Sequence, residues 1–468
     1  MANHPDFVAV ILAAGQGTRM KSTKPKVLHE AGGAPLCVWP MHAAQKAGAR
    51  HLVMVLGYGR ELVEAALHAR FPGGFTSALQ PEQRGTGDAV RCGMETLSEY
   101  AGTIVVLYGD CPLVPAEAIT SLITERQAKK APLALLTSQM EDPTGYGRIL
   151  RGPDGAVREI REHRDCSPAE LQIHEVNPGI YAIDADFLRE ALGTLSTKNT
   201  AGELYLTDVV ARAAERGGAV SVPWDIHDLR GVNDRFELAL ADKALRLRIA
   251  KRHAQGGATI RDPESVWIDP EVEIAPDAVI EPRVTLRGRT RIAEGAHIDV
   301  GAVLDHVTVH KGARVKAYTV ATDSILGEGA EAGPFSHLRP GSDLGPEAKI
   351  GNFVEVKKTK LGRGSKANHL AYLGDGIIGD HVNVGAGTIF CNYDGFQKHT
   401  TVLEDDVFIG SDSQLVAPVK IGKGAYVATG TTVTRDVPAD ALAIARTRQE
   451  NKEGYAARLK AKLKGDKK

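Results

Sequence analysis

A six-residue rhythm in the second half of the chain constrains its fold more than any other feature. Between Val272 and Pro438, Ile274, Ile280, Leu286, Ile292, Ile298 and Leu304 fall six apart, and Ile409, Leu415, Ile421, Val427 and Val433 resume the count. Gly, Ala, Pro, Asp and Glu fill the intervals, as in Ile350-Gly351-Asn352-Phe353-Val354-Glu355-Val356. An amphipathic helix needs a period near 3.6 and a half-buried strand a period of 2, so neither sustains this pattern. A hexapeptide β-helix does. Each repeat makes one short strand and one bend, and three repeats close a triangular coil whose inward aliphatic residues stack on the next coil. The many glycines and prolines exclude a helical solenoid. One interruption, Cys391 to Thr400, breaks the rhythm, and loops leaving a rigid scaffold are where function concentrates.

The chain has 468 residues, enough for two or three domains. Aromatic residues are only 5 % of it while glycines number 50, as a β-helix built from small residues requires. A net charge of −1 gives no general reason to expect a nucleic acid or an anionic membrane as partner. Five cysteines (Cys37, Cys92, Cys111, Cys166 and Cys391), odd in number and without a C-x-x-C pair, read as reduced thiols of a cytoplasmic protein. The start lacks a basic leader region, and its apolar run feeds a glycine-rich turn, so it reads as a first strand rather than a signal peptide. No apolar run approaches membrane-spanning length.

Residues 1–235 alternate differently. Apolar runs at Phe7–Ala14, His51–Leu56 and Thr103–Tyr108 are separated by helical stretches near Val38–Ala47 and Arg60–Ala69. This predicts an α/β, Rossmann-like domain with a parallel sheet, crossover helices and ligands beyond the carboxyl ends of the strands. Three polar loops follow strands. Gly15–Lys26 fails the Walker spacing and has Met20 where a dinucleotide fingerprint needs its third glycine. It keeps two glycines whose amides can approach a phosphate, with Arg19 and Lys26 to neutralise it, or it is simply a turn. In the second loop, Gln80 offers a donor and an acceptor to a base edge, or introduces a helix at Asp88–Leu97. In the third, Tyr108-Gly109-Asp110, the carboxylate suits Mg2+ beside a phosphate loop, or caps a helix. Tyr146-Gly147, Glu162, Asn177 and Gly231-Val232-Asn233 add polar groups for sugar hydroxyls and an amide.

A basic stretch rich in helix formers, from about Arg235 to His253, reads as a connecting helix with a solvated charged face. His306 and His310 would share a face only on a helix, so they are not a metal pair here. The expected domains are 1–235, a linker helix 236–256, the β-helix 257–454 and a solvated basic tail 455–468.

Taken together these motifs resemble a known family. Leu12-Ala13-Ala14-Gly15 with Thr18-Arg19-Met20, and Pro25-Lys26-Val27-Leu28-His29, resemble the opening of sugar-1-phosphate nucleotidyltransferases. Gln80, Gly85-Thr86 and Tyr108-Gly109-Asp110 match the uridylyl-transferring branch. The second half carries Arg339-Pro340-Gly341, Lys357-Lys358, His369-Leu370-Ala371-Tyr372, Cys391-Asn392-Tyr393-Asp394-Gly395 and Gly410-Ser411-Asp412. The whole is similar to the bacterial bifunctional enzymes that are both N-acetylglucosamine-1-phosphate uridylyltransferase and glucosamine-1-phosphate acetyltransferase, whose product supplies peptidoglycan and lipopolysaccharide synthesis.

The resemblance implies roles residue by residue. Leu12, Ala13, Ala14, Gly15 and Lys26 would cradle the phosphates of UTP, with Gln80, Gly85 and Thr86 on uracil and Tyr108 and Gly109 lining the site. Asp110 and Asn233 would hold Mg2+, and Gly147, Glu162 and Asn177 would contact the N-acetylated sugar. In the β-helix, left-handed by this resemblance, His369 would be the general base. Arg339, Lys357, Tyr372 and Asn383 would bind the sugar phosphate, and Ala386, Asn392, Tyr393, Ser411, Thr429 and Arg446 would line the acetyl-CoA site. Thr429 departs from the small alanine usual in the family, which preserves a backbone contact and puts a packing role in doubt. A homotrimer is implied, with acetyl-CoA sites between subunits. Two other readings are a monofunctional nucleotidyltransferase with a regulatory β-helix and a non-catalytic scaffold. His369 with Tyr372 argues against the first of these, and the intact Gly15–Lys26 loop with Asp110 against the second.

Overall fold

The computed structural model describes residues 6–71 and 74–465. The chain divides into two compact units, Met1–Ile249 and Ala250–Lys468, and the helix Arg235–Gln255 runs through the division.

The first unit is built on a mixed sheet. In spatial order among the described residues its strands are Glu175–Asn177, Gly147–Arg151, Val157–Arg161, Ala219–Pro223, Leu133–Gln139, Tyr181–Asp184, Thr103–Tyr108, Phe7–Ala13, His51–Leu56 and Thr76–Leu79. The predicted parallel core is there. Phe7–Ala13, a run of seven buried residues, pairs in parallel with His51–Leu56 on one side and Thr103–Tyr108 on the other. The expectation of a wholly parallel sheet is corrected beyond Thr103–Tyr108: Tyr181–Asp184 enters antiparallel to both its neighbours, and Gly147–Arg151 and Val157–Arg161 form an antiparallel hairpin. Apolar content alone does not set strand direction, so the sequence could not show this. Chain order reverses about the central strand Phe7–Ala13, so the loops after it and after Thr103–Tyr108 open into one crevice, the usual position of a ligand in such sheets. Helices Val38–Lys46, Arg60–Arg70, Thr86–Glu95 and Ala116–Ala128 cover the sheet through two apolar layers.

The second unit is the β-helix. Its strands form three parallel sheets of eleven, ten and nine strands among the described residues, the faces of a triangular rod. The first face runs from Thr259–Ile260 to Leu442–Ala443, the second from Trp267–Ile268 to Thr432–Val433 and the third from Glu273–Ile274 to Val419–Ile421. Every third hexapeptide returns to the same face, so the six-residue rhythm becomes a stack. On the first face Ile280 meets Ile298, then Val315, Ala332 and Ile350, all buried. The core is therefore one-dimensional, each coil resting on its neighbours alone. The break foreseen at 391–400 is a loop inserted between the second and third faces, ordered by Asp394, which accepts from the backbone N–H groups of Phe396 and Gln397 and pairs with His399. The tail expected to be merely solvated carries a helix, Tyr455–Gly465, and its described side chains are exposed.

Candidate functional sites

In the first unit a cavity of about 280 Å3 opens at the crevice, lined by Leu12, Ala13, Ala14, Gly15, Lys26, Gln80, Gly85, Thr86, Tyr108 and Asp110 among others. Ten of the sequence-predicted residues therefore meet in one place, brought from four separate segments. Lys26 and Asp110 form an ion pair in which both side chains are largely shielded. The cap alternative for Asp110 is set aside by position, since the following helix starts at Ala116 with Pro115 at its cap. The loop Gly15–Lys26 owes its path to Gly17, which has φ 68° and would press a methyl group to 2.4 Å from Lys26 Cβ. Only glycine meets both demands.

Gln80 is buried and its amide nitrogen donates to Gly85 O at 3.2 Å and to the buried Asp88 carboxylate at 3.0 Å. Both partners only accept, so the amide orientation is fixed and its oxygen is the end left to offer a base edge. The turn Arg84–Gly87 is stitched to a distant strand of chain: Leu204 N donates to Arg84 O and Gly87 N to Leu204 O, each at 2.8 Å. The helix predicted from Asp88 starts two residues earlier, at Thr86, with Gly85 at its cap.

Asn233 reaches the same region through the backbone. Val232 N donates to Asp110 O at 2.8 Å, and Asn233 Oδ1 accepts from Arg19 at 2.8 Å. The two oxygens assigned to Mg2+ are thus each held by a cationic side chain, Asp110 by Lys26 and Asn233 by Arg19. A carboxylate and an amide oxygen fit Mg2+, which takes few protein ligands and leaves the remainder to water and phosphate.

The sugar-side residues also assemble. Asn177 pairs across the sheet with Gly147, and a methyl on Gly147 would stand 3.6 Å from Glu162 Oε2. Asn177 is buried and spends itself locally, donating to Tyr181 Oη at 2.6 Å and accepting from Gly179 N at 3.0 Å. Burial pushes the Glu162 carboxyl above the usual range, opposed by a hydrogen bond from Thr207. Burial likewise raises the phenol of Tyr108. Sequence reasoning missed Gln83, which donates to Ala14 O at 3.0 Å, and Thr207, which holds Glu162. Neither has a local signal, because each acts on a loop far away in sequence.

In the second unit the functional candidates follow one corner of the rod, between the first and second faces. There each turn residue donates its N–H to a carbonyl one coil earlier: Phe353 to Phe335, Leu370 to Asn352, Gly387 to Leu370, Asp412 to Ala386 and Gly430 to Ser411, at 2.7–3.2 Å. His369, Ala386, Ser411 and Thr429 therefore climb this corner coil by coil, and Arg446 donates to Thr429 O. That contact is to backbone, so the threonine does not disturb it. Among the described residues the exposed His369 side chain makes no hydrogen bond. Asn383 lies on the face before the corner and Tyr372 and Lys357 on the face after it. Arg339, beside that second face, is engaged by Glu355 at 2.8 Å, a carboxylate not singled out beforehand because its hexapeptide position is otherwise ordinary. Asn392 is buried at the next corner, and Tyr393 is exposed on the inserted loop.

The lower part of the same corner is unusual. Tyr318, Phe335 and Phe353 stack ring on ring with centroids 5.3 and 5.8 Å apart, and Leu370 continues the column. All four have φ between 42° and 57° and exposures of 48–61 %. The left-handed region costs such residues ~1 kcal/mol each, and among the described residues about half of each side chain is left uncovered.

A cavity at the switch point of an α/β sheet in one unit and a polar corner on a hexapeptide rod in the other fit a transferase with two activities. Residues 9–181 match the MobA-like NTP transferase domain, and residues 400–435 match six repeats of the bacterial transferase hexapeptide. Proteins named Bifunctional protein GlmU are similar over nearly their full length. The one from Sorangium cellulosum is 58 % identical over 99 % of both chains. Those from Pelobacter propionicus and Geobacter sulfurreducens are each 47 % identical, over 98 % and 97 % of this chain and 99 % of theirs. The chain belongs to this bifunctional GlmU family.

Proposed function

We propose that the first unit transfers UMP from UTP to N-acetylglucosamine 1-phosphate, releasing pyrophosphate, and that the second makes that sugar phosphate by acetylating glucosamine 1-phosphate with acetyl-CoA. The observation that carries the two-activity reading over a monofunctional one is the corner on which His369, Ala386, Ser411 and Thr429 succeed one another. A purely structural rod has no need of them.

In the uridylyl-transfer crevice, the main task is to orient two anions and lower their repulsion. Binding of the triphosphate draws Lys26 and Arg19 from Asp110 and Asn233 to the phosphate oxygens. The freed oxygens of Asp110 and Asn233 would hold Mg2+, which when bound supplies further neutralisation of the phosphates. Gln80 Oε1 and the Gly85-Thr86 backbone read uracil, while Gly147, Glu162 and Asn177 orient the sugar. Its phosphate oxygen is then aligned for attack on the α-phosphorus of UTP, opposite the leaving pyrophosphate.

At the rod corner, the 2-amino group of glucosamine 1-phosphate attacks the thioester carbon of acetyl-CoA. His369, exposed at the corner, takes a proton from the amine as the C–N bond forms. Ser411 stabilises the oxyanion, and the C–S bond then breaks to release coenzyme A. Arg339 and Lys357 neutralise the sugar phosphate, with Tyr372 and Asn383 beside it. Asn392, Tyr393 and Arg446 bind the cofactor.

We read the Tyr318–Phe335–Phe353–Leu370 column as the seam along which neighbouring copies pack in a homotrimer. A straight apolar column repeating once per coil suits another straight rod. No helix among the described residues is long and apolar enough to cross a membrane, and the five cysteines are free, in keeping with a cytoplasmic enzyme. Paired assays test the reading. Glucosamine 1-phosphate with acetyl-CoA should release free thiol, and N-acetylglucosamine 1-phosphate with UTP and Mg2+ should release pyrophosphate. Failure of the first assay alone would leave only the nucleotidyltransferase.

A further inference from the structure

Residues from the sugar-phosphate and acetyl-CoA groups of the rod meet around Asp375, which neither group includes: Asn392 touches its carboxylate and Lys357 its backbone. Asn392, only 4 % exposed, donates from Nδ2 to Asp375 Oδ2, and the same nitrogen lies 3.5 Å from Tyr372 Oη. A carboxylate can only accept, so it dictates which end of the Asn392 amide faces it and turns Oδ1 away. Asp375 is itself held on two sides. Its N–H donates to Lys357 O at 2.9 Å, and its carbonyl accepts from Thr401 N at 3.3 Å, where the inserted loop rejoins the rod. Gly374 makes room for the arrangement: a methyl there would stand 2.5 Å from Tyr372 Oη and 2.6 Å from Asn392 Nδ2.

We propose that Asp375 is a positioning residue for acetyl transfer, fixing the amide of Asn392 against the Tyr372 hydroxyl and so coupling the cofactor subsite to the sugar-phosphate subsite. This rests on the assignment of Tyr372 and Asn392 to those subsites. The carboxylate touches neither reacting atom. Its effect is on how well two neighbours are oriented, which appears in binding rather than in turnover.

Steady-state kinetics of the full-length Asp375→Asn variant test this, because an amide at 375 can present either end and no longer dictates the orientation of Asn392. The KM for acetyl-CoA should rise about tenfold, the change expected from one charge-assisted hydrogen bond. The KM for glucosamine 1-phosphate should rise less, about threefold, because the Tyr372 contact is the longer one. The kcat should stay within about threefold, and pyrophosphate release should be unchanged. Gly374→Ala leaves the carboxylate in place, disturbs the same junction sterically and should shift the two KM values in the same way. It carries the test if Asp375→Asn fails to fold. Unchanged KM values in both variants, or a fall in kcat at constant KM, would overturn the proposal. Absence of thiol release from the unaltered chain would instead remove the subsite reading beneath it.

Discussion

The two candidate sites differ in how complete they are within one chain. In the crevice the cationic side chains are already engaged: Lys26 with Asp110 at an open cavity, and Arg19 with the Asn233 amide oxygen nearer the surface. Along the rod corner His369, Ser411 and Thr429 stand exposed in a row, and the apolar column that continues the corner is about half exposed. The first arrangement assembles its polar groups within one chain, with its cations engaged until an anion competes for them. On the reading proposed above, the second is one wall of a site whose other wall a neighbouring rod would supply. A sheet with loops at a topological switch point can enclose a ligand by itself, whereas a one-dimensional solenoid exposes only surface and must associate to enclose anything.

The sharpest way to break this comparison is to remove one group from each site. His369→Ala should lower thiol release about a thousandfold, within the range of a lost general base, and leave pyrophosphate release intact. Asp110→Ala should do the reverse by a similar factor, since it strands Lys26 and removes the carboxylate proposed to hold Mg2+. A variant that lost both activities would contradict the separation of the sites.

Phe335→Glu combined with Phe353→Glu probes whether the rod site needs its neighbour. Buried like charges along a seam oppose association, so light scattering should show a smaller particle. Thiol release should fall on the order of tenfold or more and pyrophosphate release should persist. If the particle mass is unchanged, the column is not the seam.

Gly17→Ala tests the crevice more gently. The added methyl collides with Lys26 Cβ and must adopt a left-handed conformation, so the Lys26 ammonium shifts relative to the phosphates. A fall of about fivefold in kcat/KM for UTP is expected, less than for a lost charge.

The smallest effect concerns Glu162. Its carboxyl is raised by burial, so the folded state favours the protonated form. Stability from this source is fully present below the carboxyl's unfolded value and is lost as pH rises through the raised folded value. Glu162→Gln, which cannot ionise, should therefore melt above the parent at pH 8. The gap should close near pH 4, while the variant binds N-acetylglucosamine 1-phosphate more weakly. Equal melting curves at both pH values would show that the buried charge carries no cost.

Much of this was legible in the sequence because both halves repeat a local rule. The inward stack from Ile280 to Ile350 is the hexapeptide count read across coils, and the crevice loops follow short apolar runs suited to buried parallel strands. Gly15–Lys26, Gln80 and Asp110 stood out because backbone approach, a base edge and a cation each ask for particular residue types at strand ends. The antiparallel entry of Tyr181–Asp184 was not legible, because a buried run looks alike in either direction. Nor were the pairings of Arg339 with Glu355, Thr207 with Glu162 and Asn392 with Asp375, since each depends on coils or loops that only folding brings together. Gln80 and Asn177 show a subtler limit. Their residue types suggested ligand contacts, yet most of their hydrogen-bonding capacity goes to holding their own turns.

The central claim, two independent catalytic sites acting in sequence on one chain, is tested most directly by mixing His369→Ala with Asp110→Ala. Supplied with glucosamine 1-phosphate, acetyl-CoA, UTP and Mg2+, neither variant alone should form UDP-N-acetylglucosamine, and the mixture should. Product from either variant alone, or an inactive mixture, would contradict it.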